Sequence, residues 1–144
     1  MDELTGAYRR GIGLVELERE LVRSMRKGQS FILAFLDVDG LKATNDNLGH
    51  HAGDKVLRGV VDSFRAHLRA YDLIVRFGGD EFICALPDVS LDEATRRFEL
   101  INSDLLRSHG SSTTVGLAEL MEGDSLVRLI ARADEALYKE RGRV

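Results

Sequence analysis

Residues 76–82 read RFGGDEF: two glycines and then two acids, set between the apolar stretches 73–77 and 82–86. Two short apolar runs joined through Gly78-Gly79 predict a β-hairpin, because paired glycines tolerate the positive φ of tight hairpin turns. The turn then carries Asp80 and Glu81 at its tip. Adjacent carboxylates in that place either keep a turn soluble or are held out for chemistry. What the rest of the chain brings to the same edge decides between the two.

Working outward, FILAFLDV (Phe31–Val38) is apolar on both faces, as suits a central strand. In residues 12–27 the apolar positions Leu14, Leu17, Leu21, Val22 and Met25 recur at helical spacing. After a polar loop, Val56, Leu57, Val60, Val61, Phe64 and Leu68 mark a second amphipathic helix. Ser90 with Glu93 resembles a capping box and opens a helix carried by Ala94, Phe98, Ile101 and Leu105. Residues 113–120 read as a more polar edge strand, and Leu126, Leu129, Ile130, Ala133 and Leu137 line a last helix. After the first helix the order is strand, helix, strand, strand, helix, strand, helix, the split βαβ or ferredoxin-like pattern. The expectation is therefore an α+β fold: a central antiparallel sheet flanked by helices. The 31–38 and 82–86 strands lie side by side in its middle.

This topology puts the C-terminal end of strand 31–38 at the same edge as the hairpin tip. Asp37, Asp80 and Glu81 are thus expected to converge, although more than forty positions of sequence separate Asp37 from the others. Three unpaired carboxylates so close repel one another strongly. A divalent cation is the simplest remedy, and oxygen-only ligands suit Mg²⁺, with Mn²⁺ as the alternative.

Composition narrows the function classes. The 144 residues are expected to form one domain, 1–144, with a formal net charge of −4. Such a balance, without a basic face or exposed sheet aromatics, sets aside RNA binding and nucleic acid generally. An acidic protein that handles phosphates needs metal ions to mediate. No apolar run approaches the length of a bilayer span, so no membrane segment is expected. The single cysteine, Cys84, permits no internal disulfide, fits a reducing cytoplasm and reads as a buried small hydrophobe. His50 and His51 are adjacent, a poor spacing for sharing one zinc ion.

RFGGDEF also resembles the signature of the GGDEF family, the diguanylate cyclases, and it does not stand alone. DELTGAYRR is similar to the family's Asp-x-Leu-Thr-Gly opening, with Tyr8-Arg9-Arg10 where Asn-Arg-Arg is usual. LDVDGLKATNDNLGHHAGD resembles its nucleotide-binding segment, RAYD its product-binding Arg-x-x-Asp, and ARADEALYKE its closing helix. The resemblance implies a polymerase-palm type of ferredoxin-like sheet. It also implies condensation of two GTP molecules into cyclic di-GMP with release of two pyrophosphates, each GTP carried by one domain of a facing homodimer. By that resemblance Asp37, Asp80 and the backbone carbonyl of Val38 would hold Mg²⁺. Glu81 would be the general base for the 3′-hydroxyl or a further metal ligand. Lys42 would contact phosphate, Asn45 and Asp54 would read guanine, and Gly79 would border the GTP. Arg141, standing where the family has lysine before a shortened ending, would be a phosphate contact. Arg69 and Asp72 would form a product-binding inhibitory site; the alternative is a plain ion pair. A sensor or dimerising segment N-terminal to this chain is expected to drive dimerisation. The competing class is a non-catalytic domain of the same kind that binds GTP or cyclic di-GMP as a signalling receptor.

Overall fold

The computed structural model describes residues 1–142. In chain order the elements are β1 (Tyr8–Arg9), α1 (Arg10–Lys27), β2 (Phe31–Val38), α2 (Leu41–Leu48), α3 (His50–His67), β3 (Leu73–Arg76), β4 (Glu81–Pro87), α4 (Leu91–His109), β5 (Thr113–Glu119) and α5 (Leu126–Arg141). The strands form one sheet in the order β1-β3-β4-β2-β5. β2 and β4 pair antiparallel at its centre, from Phe31↔Pro87 to Asp37↔Glu81. β5 lies antiparallel to β2 at one edge, and β3 antiparallel to β4.

The period-two alternation of the central strands divides the core into two layers. Ile32, Ala34, Leu36 and Val38 of β2 face α3 and α4, together with Phe82, Cys84 and Leu86 of β4. Phe31, Leu33 and Phe35 face α1 and α5, together with Ile83 and Ala85. Because both faces are covered, every residue of β2 is buried, which is why the strand reads as an apolar run broken only by Asp37. Cys84 is fully buried, and that burial pushes its thiol pKa up.

The structure refines the sequence reading locally. The stretch after β2 is not a loop: residues 41–48 form α2, which hands over at Gly49 (φ +88°) to α3. Its sparse apolar content hides the helix, since Leu41 alone is buried in it. The central strands pair antiparallel as expected, and Tyr8 and Arg9 add a short edge strand parallel to β3. The hairpin glycines do not take positive φ at all. Gly78 is there for space: a Cβ on it would lie 2.4 Å from the Glu81 carboxylate. The capping box forms by half. Ser90 Oγ accepts from the Glu93 backbone N–H at 3.1 Å, while the Glu93 carboxylate pairs with Arg96 and Arg97.

Candidate functional site

The tip of the β3–β4 hairpin is tied down by its backbone. Phe77 N–H and Gly78 N–H both donate to the Glu81 carbonyl, at 2.9 and 3.2 Å. Val38 N–H donates to the Asp80 carbonyl at 2.9 Å, which fastens the tip to the end of β2. Arg76 braces the other side, donating to the Gly79 carbonyl at 2.9 Å and to the Asp2 carboxylate at 3.3 Å. Asp2 in turn accepts from the Thr5 hydroxyl at 2.6 Å. Burial alone would raise the Asp2 pKa, but the Thr5 and Arg76 donors hold it below the usual carboxylate value. These ties use the DELTG segment as a brace for the turn, a role that its sequence alone does not reveal.

Asp37 shares the α1/α5 face of the sheet with Glu81, its register partner, and its side chain is 9% exposed. Burial and the neighbouring Asp80 carboxylate raise its pKa to about 6, against the opposing pull of Arg141. Arg141, the last residue of α5, forms an ion pair with Asp37 Oδ2. Asp37 and Asp80 crowd each other, and the Glu81 carboxylate, which also raises the Asp37 pKa, lies against Gly78. Among the described residues no three Asp, Glu, His or Cys side chains form a group able to hold a metal ion. Two carboxylates beside the Val38 backbone are what this edge offers, a hard-oxygen donor set that suits a small divalent cation.

Asp39, one residue past the strand, accepts from Ser112 Oγ and Thr114 Oγ1, both at 2.6 Å. It locks the end of β2 to β5. Lys42 is exposed on α2, and Asn45 is half-buried on the same helix. The Asn45 side chain lies against Gly53, where a Cβ would stand 1.7 Å from its Oδ1. Half-buried Asp54 directly follows Gly53 on α3, next to that contact. A Cβ on Gly79 would meet nothing within 4 Å, which leaves that backbone open to close approach.

Arg69 and Asp72 meet beyond the end of α3 rather than on it. Asp72 Oδ2 accepts from the Arg69 backbone N–H at 2.7 Å, and its Oδ1 accepts from Nη2 at 2.8 Å. Arg69 also donates to the Pro87 carbonyl and, at 2.8 Å, to the Tyr71 hydroxyl. The Asp72 side chain has no exposed surface. A concavity of about 640 Å³ opens beside the pair, lined in part by Tyr8, Glu16, Glu20, Arg65 and Tyr71.

The profile of the family described as diguanylate cyclase, GGDEF domain, matches residues 1–143. Diguanylate cyclase DgcP of Pseudomonas aeruginosa is 36% identical over 146 residues, 96% of this chain and 22% of that protein. Diguanylate cyclase DosC of Escherichia coli is 37% identical over 154 residues, 99% of this chain and 34% of that protein. A solved microbial GGDEF domain, described in a novel interaction mode with cyclic di-GMP, superposes with a TM-score of 0.92 at 36% identity. The match covers 99% of this chain and 93% of that one. The chain belongs to the GGDEF family. It spans between 22% and 34% of the length of these two curated relatives. Among the described residues no helix is long and apolar enough to cross a membrane.

Proposed function

We propose that the chain is a diguanylate cyclase domain, joining two GTP molecules into cyclic di-GMP across a facing pair of domains. The observation that carries this reading is the Asp37–Asp80 pair, two crowded carboxylates fixed beside the Val38 backbone at the hairpin tip. A divalent cation bound by Asp37, Asp80 and the Val38 carbonyl would supply charge neutralisation at the phosphates. The α2–α3 corner would select the base: Asp54 accepts from guanine N1–H and N2–H₂, while Asn45 donates to O6. Lys42 and Arg141 would hold phosphate oxygens, and open Gly79 lets the nucleotide approach the turn.

In each half-reaction a 3′-oxygen forms a bond to the α-phosphorus of the facing GTP and the bond to pyrophosphate breaks. The hydroxyl proton passes to Glu81 or to water, and the second half-reaction closes the ring. Arg69 and its concavity would bind product, with buried Asp72 aiming the guanidinium rather than reading guanine itself.

The test is incubation with GTP and Mg²⁺ or Mn²⁺ and chromatography of the products. Cyclic di-GMP and two equivalents of pyrophosphate are expected, at a rate rising faster than linearly with protein concentration where the domains are dissociated. Tight GTP binding without product would instead establish the receptor reading. Failure to bind GTP would sink both.

A further inference from the structure

The carboxylate edge already holds a cation. Arg141 ends α5, and its guanidinium pairs with Asp37 Oδ2 across the α1/α5 face of the sheet. The end of a helix carries a partial negative charge. The end of α5 therefore adds to the field of Asp37 and Asp80 rather than relieving it, and the Arg141 guanidinium offsets that field. The two partners differ in freedom: the Asp37 side chain is 9% exposed and the Arg141 side chain 49% exposed. Asp37 is fixed in a central strand, whereas Arg141 is a long side chain at a helix end, able to swing aside at the cost of one side-chain rearrangement.

We infer that Arg141 is a placeholder cation. Its guanidinium holds the seat on Asp37 that a divalent cation takes, so metal binding must displace it, and the displaced guanidinium then turns to the phosphates of the incoming nucleotide. This rests on the assignment of Asp37 to the metal set. A guanidinium and a small divalent ion compete for the same Asp37 oxygen, because the ion requires direct oxygen contact. The consequence is an ordering device: metal arriving alone meets a competitor, whereas metal arriving with a triphosphate brings the anion that draws Arg141 away. Metal and nucleotide thereby bind with positive coupling, and the coupling is reciprocal.

Mn²⁺ titrated into the nucleotide-free chain, followed by electron paramagnetic resonance, tests the idea. Arg141→Gln is expected to bind Mn²⁺ about tenfold more tightly than the parent chain, since it removes a competing positive charge at contact distance. Arg141→Lys should fall between them, and Asp37→Asn should abolish the binding. Thermal unfolding adds a second readout: added Mn²⁺ should raise the Tm of Arg141→Gln by more than it raises that of the parent. If Mn²⁺ binding depends on Asp37 but Arg141→Gln binds no more tightly, the placeholder role is wrong and the metal assignment stands. If binding ignores Asp37, both fall.

Discussion

Arg69–Asp72 and Arg141–Asp37 are both arginine–aspartate pairs, and they stand at opposite ends of the central strands. The first joins residues three apart and is saturated. Asp72 takes the backbone N–H and guanidinium of Arg69, which also binds a main-chain carbonyl and a tyrosine hydroxyl. The second joins residues from β2 and the end of α5, with the arginine half in solvent and a second carboxylate crowding the aspartate. The same chemistry serves as a clasp in one place and as an exchangeable seat in the other. What separates them is how many of the partners' bonding positions are already used, and whether a like charge stands alongside. A filled pair holds structure, while a crowded and half-exposed one is ready to accept another ligand.

The largest effect expected from that contrast is at the crowded end. Asp80→Asn removes one of the two carboxylates proposed to hold the metal and should lower cyclic di-GMP synthesis by about 100- to 1000-fold, the usual scale for losing such a charge-stabilising group. The fold should stay intact, because Asp80 ties the hairpin tip to β2 through its backbone carbonyl rather than its side chain. Near-parental turnover in this variant, measured by product chromatography, would remove the basis for calling this end the reactive one.

At the clasp the order of effects reverses. Asp72→Ala should destabilise the chain by about 2–4 kcal/mol, because it strands a part-buried guanidinium and a backbone N–H together. Urea unfolding checks this, and a loss below about 0.5 kcal/mol would make the pair an ordinary surface ion pair.

The contrast also explains what the sequence made legible. The central strands, the hairpin and the convergence of Asp37 with Asp80 all follow from periodicity and topology, which depend on alternation along short segments. α2 is missed because its residues face solvent and the site rather than the core, leaving no apolar stripe to read. The strand at Tyr8–Arg9 is too short to show alternation. The roles of Gly78, Gly53 and Gly116 are steric, set by what packs against them, and no local pattern reports that. The Arg141–Asp37 pair links positions at opposite ends of the sequence, and its signal, a basic residue in the last turn of a helix, is common to many helices. Asp72 was legible as a residue but not as a buried one, because burial of a carboxylate depends on how fully its partner saturates it.

Gly116 offers a way to move the exchangeable seat without touching its charges. A Cβ there would stand 2.2 Å from the Ala133 carbonyl oxygen and 2.2 Å from the Leu137 nitrogen, both backbone atoms of α5. Gly116→Ala must therefore push α5 off β5, and Arg141 moves with it. The expected cost is about 1–3 kcal/mol, as for other overpacked contacts. Calorimetric unfolding would measure that cost. A Mn²⁺ titration should show the nucleotide-free chain gaining metal affinity, as when Arg141 itself is replaced. Destabilisation without a change in metal affinity would separate the helix position from the seat.

The smallest effect lies at the clasp, in the hydroxyl of Tyr71. The Arg69 guanidinium stands 4.5 Å from the centre of the Tyr71 ring, and its Nη1 donates to the hydroxyl at 2.8 Å. Tyr71→Phe deletes the second contact and keeps the first, so it measures one bond of the saturated set. That bond is to a charged donor, which strengthens it, but Tyr71 is 60% exposed and water replaces the hydroxyl readily. The expected loss in unfolding free energy is about 0.5 kcal/mol, near the low end for a single hydrogen bond. Binding should move the other way. If the concavity beside Arg69 accepts cyclic di-GMP, releasing one Nη1 N–H gives the ligand a donor that the tyrosine had held, and affinity rises by about twofold, close to the same 0.5 kcal/mol. Stability falling while product affinity rises marks the clasp as a site held partly closed by its own tyrosine. Stability falling with no cyclic di-GMP binding in either chain leaves the clasp purely structural, and isothermal titration distinguishes the two.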